Sequence, residues 1–306
     1  MSVEQKITPL VSIIIINYKT PQLVIDCIKS IYEHENKISY EIIVFDNNSQ
    51  DQSVRLVKEA YPQIAVIESA KNLGFAGGNN RAVQSAAGQY LLFLNSDTLV
   101  TKPFLKSLIV VMESNKKIGI MGPRLRNTDH SLQESVFRFP TLWRAFYESF
   151  FLCNLFPRSK IFGDYRKFNY NELRQVDYVS GACFLIDKLL FNTMQGFDEK
   201  FFMYAEEADL AFRLYKKGFC TYFLPAGDII HLGKGSWTDQ TDFNPLFFLS
   251  QVVYHRKHYG NWGLRLFIVY KIIGYVLRNI VLFLKFNFKK IRFHNQIISF
   301  YARQFF

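Results

Sequence analysis

The sequence predicts an α/β fold built on a mixed, mainly parallel sheet flanked by helices. Two observations carry this. Between residues 10 and 97, short β-branched apolar runs alternate with helical patterns, which is the signature of βαβ units. Four apolar runs also end on polar residues: Ile13-Ile14-Ile15-Ile16-Asn17-Tyr18, Ile42-Ile43-Val44-Phe45-Asp46-Asn47-Asn48-Ser49, Leu91-Leu92-Phe93-Leu94-Asn95-Ser96-Asp97, and Phe201-Phe202-Met203-Tyr204-Ala205-Glu206-Glu207-Ala208-Asp209. In an open α/β sheet the carboxyl ends of buried strands share one edge, so polar residues there converge although they are distant in sequence.

The elements follow in order. Strands are expected near 11–17, 41–45, 64–68 and 90–94. Thr20-Pro21 reads as an N-cap followed by proline at the first helical position, opening a helix that carries Leu23, Ile28 and Ile31. A second helix follows Asp51 and a third follows Gly78. Beyond Asp97 come a helix near 103–114, a strand near 118–122, an irregular aromatic and basic stretch from Arg124 to Tyr170, a strand at Tyr178–Ile186 and a helix near 207–217. No repeat of fixed period is evident.

With 306 residues and 49% hydrophobic content the chain can bury a large core, which excludes a disordered or low-complexity protein. The net charge of +11 is localised: Asp242 is the last acidic residue, and ten Lys and Arg follow it. Cys27, Cys153, Cys183 and Cys220 form no CxxC pair, so neither zinc nor a disulfide framework is expected, and a reducing compartment is the simpler reading. Leu10–Ile16 is too short to span a bilayer and follows Glu4 and Lys6 rather than a basic leader, so no export signal is expected.

The strand-end residues each have two readings. Asp46, Asn47, Asn48 and Ser49 can hydrogen-bond a nucleobase or ribose, or form an Asx-turn and cap the next helix. Asn17 shares that ambiguity. Asn72-Leu73-Gly74-Phe75-Ala76-Gly77-Gly78-Asn79-Asn80 is a glycine-rich loop entering a helix, suited to bringing backbone N–H groups to phosphate, although it has neither the GxGxxG nor the P-loop spacing; a plain turn is the alternative. In Asn95-Ser96-Asp97, only Asp97 can be anionic, and a carboxylate there can hold a hard divalent cation that grips a diphosphate. Glu206, Glu207 and Asp209 precede Leu210, Phe212 and Leu214 at a helix start, where carboxylates suit the helix dipole. Behind an aromatic run they can also be desolvated, which raises a carboxylate's pKa toward general-base values. His231 follows the apolar pair Ile229-Ile230, where a lone histidine is more often structural than a ligand unless a metal is independently implied.

Taken together, Val11 to Gly235 resembles the inverting family-2 glycosyltransferases of the GT-A fold, in particular rhamnosyltransferase-type members of bacterial surface-polysaccharide pathways. The resemblance implies a catalytic domain over 1–242, with a nucleotide-sugar half to about residue 100 and an acceptor half over 101–242. It implies that Asn17, Asp46 and Asn48 receive base and ribose, and that Asn72, Gly74, Phe75 and Gly77 form the donor-facing loop. Asn95, Ser96 and Asp97 would stand at the DxD position, with Asp97 and His231 as ligands to Mg²⁺ or Mn²⁺. Glu207 would be the catalytic base, beside Glu206 and Asp209. Two departures stand out: Asn95 replaces the usual first Asp, and the acidic pair is Glu-Glu where Glu-Asp is commoner. The implied donor is a nucleoside-diphosphate sugar, with dTDP-rhamnose favoured and UDP-sugars open, and the acceptor is a saccharide or lipid-linked saccharide. A nucleotidyltransferase, or a catalytically inactive assembly partner, is the alternative.

Residues 243–306 form a basic, helical C-terminal region. Lys271, Arg278, Lys285 and Arg292 recur every seven residues among long aliphatic runs, which predicts a basic stripe on an amphipathic helix lying on a membrane surface over 261–306. Spanning would place Arg278 near the bilayer centre at a cost of about 2.5–3.5 kcal/mol. A helix packed on the catalytic domain, or a homodimer seam, is the alternative. No nucleic-acid surface is expected, because the cations interleave with aliphatic runs rather than isolated stacking aromatics. The expected location is cytoplasmic, peripheral on the inner face of the cell membrane.

Overall fold

The computed structural model describes residues 8–159, 161–233 and 243–305; Gly235 and Ser236 downstream of His231, and Asp242, lie outside the described residues. The first half runs β1 (Val11–Asn17), α1 (Pro21–His34), β2 (Tyr40–Asp46), α2 (Ser53–Ala60), β3 (Ala65–Glu68), α3 (Gly74–Val83) and β4 (Tyr90–Asn95). Then follow β5 (Thr98–Val100), α4 (Leu105–Ser114), β6 (Ile118–Gly122), β7 (Leu125–Arg126), β8 (Val136–Phe137), α5 (Leu142–Ser149) and α6 (Leu152–Leu155). The remainder is β9 (Arg174–Val176), β10 (Tyr178–Val179), β11 (Cys183–Asp187), α7 (Lys188–Thr193), α8 (Glu206–Lys216), β12 (Cys220–Phe223), β13 (Ile229–His231), α9 (Pro245–Leu284) and α10 (Phe288–Arg303).

The main sheet has the order β3-β2-β1-β4-β11-β6-β12-β9. Its first four strands are parallel, whereas β11 runs antiparallel to both β4 and β6. Both faces are covered, which is why these strands read as continuous apolar runs. Ile13 and Ile15 face a core shared with α1, α2 and α4; Ile14 faces the opposite core with α3, α7 and α8.

Three expectations are corrected. The third helix starts at Gly74 rather than after Gly78, so the glycine-rich segment is itself the first turns of α3. The strand expected over Tyr178–Ile186 is two pieces, β10 and β11, separated by Ser180-Gly181-Ala182, and β10 pairs with β8 in another sheet. The seven-residue spacing of tail cations does not form one stripe. Lys271 turns inward to Glu148 at 3.1 Å, and Arg278 donates to the Glu148 carbonyl at 2.6 Å while lying over the Phe151 ring. Lys285 stands where α9 ends and Arg292 sits on the separate helix α10.

The inner face of α9 packs on α5 and α10 around Ala145, Phe248, Leu264, Phe267, Ile268, Ile297 and Tyr301. Its outer face instead carries exposed Trp262, Leu266, Val269, Ile273, Val276, Ile280 and Phe283, an apolar line at alternating four- and three-residue spacing. By length and composition α9 is apolar enough to cross a membrane.

Candidate functional site

The parallel register sets Asn17 opposite Asp46 and Ile16 opposite Asn95, so three strand ends meet at one edge. Asn17 donates to Asp46 Oδ1 at 2.6 Å and to Ser49 Oγ at 3.1 Å, while the Ser49 N–H donates to Asp46 Oδ2 at 2.9 Å. Asn17 Oδ1 accepts from both the N–H and the hydroxyl of Thr20 at 3.2 Å. Asn17 and Asp46 are therefore buried and knit two turns together. The groups they hold out, Tyr18, Thr20 and Asn47, line a cleft with Asn72, Gly74, Phe75, Asn95, Ser96 and Asp97. Asn48 takes a left-handed φ of 64° that closes its turn, outside that lining.

Asn47 ties the strand edge to α3. Its Oδ1 accepts from the Leu73 N–H at 2.7 Å and its Nδ2 donates to the Gly74 carbonyl at 2.9 Å. Asn72 Oδ1 caps the Gly74 N–H at 2.9 Å. The Phe75 N–H then donates to the Phe202 carbonyl at 2.7 Å, joining this loop to the segment that carries the acids. At Gly77 a Cβ would come within 2.9 Å of Leu73 Cβ, so that glycine permits close packing.

Asp97 meets His231 because β13 pairs antiparallel with β5, setting His231 opposite Thr98. Asp97 Oδ1 is 3.3 Å from His231 Nε2, and Asn95 Nδ2 is 3.4 Å from the same nitrogen. An oxygen and an imidazole nitrogen at this spacing suit Mn²⁺ or Mg²⁺. Among the described residues no cluster of three or more His, Cys, Asp or Glu forms, so a cation would draw its other ligands from a diphosphate and water.

A second cleft, of about 470 Å³, lies between α5, α9 and the start of α8; Arg138, Arg144, Tyr178, Tyr204, Glu207 and Lys271 are among its lining. The Phe201–Ala205 segment divides the two clefts, with Phe202 and Met203 on the first and Tyr204 and Ala205 on the second. Tyr204 and Ala205 hold left-handed φ of 71° and 65°, a strained turn that starts α8 at Glu206. Asn244 Nδ2 donates to the Tyr204 hydroxyl at 3.2 Å, and Ser250 Oγ to the Met203 carbonyl at 2.6 Å, so α9 holds this turn.

The acids divide by environment. Burial pushes the carboxyls of both Glu206 and Glu207 up, and the neighbouring Glu207 charge raises Glu206 further. Glu207 lines the second cleft; Glu206 does not. Asp209 is fully buried beneath them, accepting from Arg213 at 2.8 Å, His258 at 2.9 Å and Lys257 at 2.6 Å. Burial works to raise its pKa, but the His258 hydrogen bond and the two cations prevail and hold it at about 2. Asp209 thereby clamps α8 to α9. Its α9 partners lie almost fifty residues downstream and have no local signal in the sequence. Nor is there any signal for Gln133, whose Oε1 meets His231 Nδ1 at 2.8 Å. Asn47 was visible as the neighbour of Asp46, without its bridging role.

This fold, with a polar cleft at the strand ends and an acidic pair at the start of α8, is that of the GT-A glycosyltransferases. Residues 12–194 match the model of Glycosyl transferase family 2, and the chain belongs to that family. It is 27% identical over 202 residues to the N-acetylglucosaminyl-diphospho-decaprenol L-rhamnosyltransferase of Mycobacterium tuberculosis, covering 62% of this chain and 66% of that relative. It is 31% identical over 221 residues to the rhamnosyltransferase WbbL of Escherichia coli K12, covering 67% of this chain and 78% of the other. The mannosyltransferase PcManGT of Pyrobaculum calidifontis, solved in complex with GDP-Man and Mn²⁺, has the same fold: the TM-score is 0.56 at 14% identity, over 98% of this chain and 88% of that one.

Proposed function

We propose that the chain is an inverting glycosyltransferase of surface-polysaccharide biosynthesis. It moves a sugar, rhamnose from dTDP-rhamnose before any UDP-sugar, to a hydroxyl of a saccharide or lipid-linked saccharide. The single observation that carries this is the division of two clefts by Phe201–Ala205, with a half-buried Glu207 of raised pKa on one side and Asp97 on the other. Two rhamnosyltransferases among the relatives favour the donor sugar.

In this reading the donor lies along Tyr18, Thr20, Asn47, Asn72 and Phe75, with Asn17, Asp46 and Asn48 shaping the turns beneath it. Gly74 and Gly77 let α3 approach closely, and Asn95 and Ser96 stand beside the diphosphate. Asp97 and His231 would hold Mg²⁺ or Mn²⁺, which supplies positive charge to the departing diphosphate. The acceptor hydroxyl reaches Glu207 from the second cleft. Glu207 takes its proton as the oxygen bonds to the anomeric carbon and the bond from that carbon to the diphosphate oxygen breaks. The nucleoside diphosphate leaves and the configuration inverts. Burial keeps Glu207 basic against the hydrogen bond from Glu206, which works to lower it, and Asp209 positions the helix.

The C-terminal region is proposed to rest on an anionic membrane, peripheral on the cytoplasmic face. α9 cannot be surrounded by lipid while its inner face packs on α5 and α10. Its apolar outer line continues into the turn Phe283, Leu284, Phe286 and Phe288, all exposed beside Lys285, Lys289 and Lys290. Apolar side chains ringed by lysines suit the interface between headgroups and acyl chains. A homodimer along the same line is the competing reading.

The test is a screen of nucleotide sugars with purified protein and Mn²⁺, reading nucleoside-diphosphate release, thermal stabilisation and product configuration by NMR. Retained configuration would overturn the mechanism; pyrophosphate release in a parallel reaction supplied with a nucleoside triphosphate and a sugar 1-phosphate would make the protein a nucleotidyltransferase.

A further inference from the structure

We propose that Gln133 is a positioning residue that fixes which nitrogen of His231 faces Asp97. The inference rests on the Asp97–His231 metal reading and adds a residue to it. Gln133 sits at the end of a short hairpin: its N–H donates to the Leu125 carbonyl at 3.0 Å, and Arg126 bridges Leu132 across the turn. Its side-chain amide is fully assigned by its surroundings. Nε2 donates to Asn127 Oδ1 at 2.9 Å and to the His231 carbonyl at 3.3 Å. Asn127 cannot flip to oppose this, because its own amide nitrogen donates to Ser131 Oγ at 2.9 Å and to the Leu132 carbonyl at 3.4 Å.

With both of its N–H groups directed there, Gln133 can present only its oxygen to His231 Nδ1, 2.8 Å away. An acceptor at that position requires the proton to sit on Nδ1 of the neutral ring. Nε2 then carries a lone pair, and it points at Asp97 Oδ1 3.3 Å away and at the Asn95 amide. With the ring neutral, two acceptors that face each other at this distance repel unless positive charge, a metal cation or a second ring proton on Nε2, lies between them. Asn95, which stands where a first Asp is usual, donates an N–H toward the same lone pair instead of adding a second anionic group. Gln133 thus acts toward His231 as the outer hydrogen-bond partners of metal-bound histidines do, fixing ring orientation and ligand basicity.

Two measurements on the full chain test this. In ¹⁵N-histidine-labelled protein without metal, His231 should be the Nδ1–H tautomer, and Gln133→Leu should lose that preference. Mn²⁺ affinity, read from the EPR signal of free Mn²⁺, should fall by about 10-fold or more in Gln133→Leu, on the scale of outer-partner losses. Gln133→Glu, which still accepts from Nδ1, should retain most of it, with circular dichroism confirming that both variants fold. An Nε2–H tautomer in wild type, or equal Mn²⁺ binding by wild type and Gln133→Leu, overturns the inference. Failure of wild type to bind any Mn²⁺ strikes the metal reading itself, whatever the tautomer.

Discussion

A Cβ built on Gly74 would stand 2.1 Å from the carbonyl oxygen of Phe202. Gly74 also holds a φ of +71°, so the position excludes a side chain on two independent grounds. This close approach sets the proposed donor loop against the segment that leads into Glu206 and Glu207. Gly74→Ala should therefore push Phe202 away, lower stability by about 1–3 kcal/mol and reduce turnover together with donor affinity. Thermal melts and steady-state kinetics check it; unchanged kinetics would mean that the contact does not align the site.

Glu207→Gln should leave nucleoside-diphosphate binding nearly intact and lower turnover by about 10²-fold or more, the usual scale for loss of a general base. Because burial raises Glu207 to about 7, wild-type kcat/KM should fall as pH drops below about 7 and the base is protonated. A folded pKa above the ordinary glutamate value of 4.5 stabilises the fold at low pH, and that contribution is lost as pH rises through about 7. The amide variant should then melt higher than wild type at pH 8. Near-normal turnover would move the role to Glu206.

Much of this architecture was legible because buried parallel strands leave long apolar runs with polar ends, and β1, β2 and β4 fall where those runs predict them. The start of α3 was not, since Gly74–Gly78 reads locally as a loop; only packing against Ile16, Phe45 and Phe202 makes it helical. The tail cations misled for a related reason. Spacing in sequence assumes one straight helix with a free face, whereas Lys271 and Arg278 turn inward to Glu148 and Phe151 and the turn after Leu284 starts another helix. Asp209 and Gln133 depend on partners that no local pattern specifies.

Asp97→Ala should weaken nucleoside-diphosphate binding far more in the presence of Mn²⁺ than in its absence, because it removes the carboxylate proposed to share the cation with His231. Calorimetric titrations with and without metal make the comparison. Full activity in excess chelator would remove the metal from the mechanism.

Asp209→Asn should loosen α8 from α9 and leave Arg213, Lys257 and His258 facing a neutral amide. A broken buried ion pair of this kind costs about 3–5 kcal/mol. In wild type the folded pKa is depressed to about 2 from 3.8, so the stability it contributes is present above pH 3.8 and is lost as pH falls toward 2. The difference between the melting temperatures of wild type and variant should accordingly shrink over that acid range. A constant difference would show that Asp209 contributes through packing rather than through its charge.

Membrane binding should depend on the turn after α9 more than on Lys271 and Arg278, which are committed to Glu148 and Phe151. Each apolar side chain inserted from the turn gains about 1.5–3 kcal/mol if fully buried, and each lysine near an anionic surface about 1 kcal/mol. Phe283→Ser with Phe286→Ser and Phe288→Ser should reduce binding to vesicles at any ionic strength. Lys285→Gln with Lys289→Gln and Lys290→Gln should reduce it chiefly at low salt, where the attraction is unscreened. Nucleotide binding should be unchanged in both, because the turn touches neither cleft. If wild type ignores anionic vesicles at low salt while the serine variant changes from dimer to monomer in sedimentation, the apolar line is a seam between two copies, and the case for a membrane-borne acceptor falls with it.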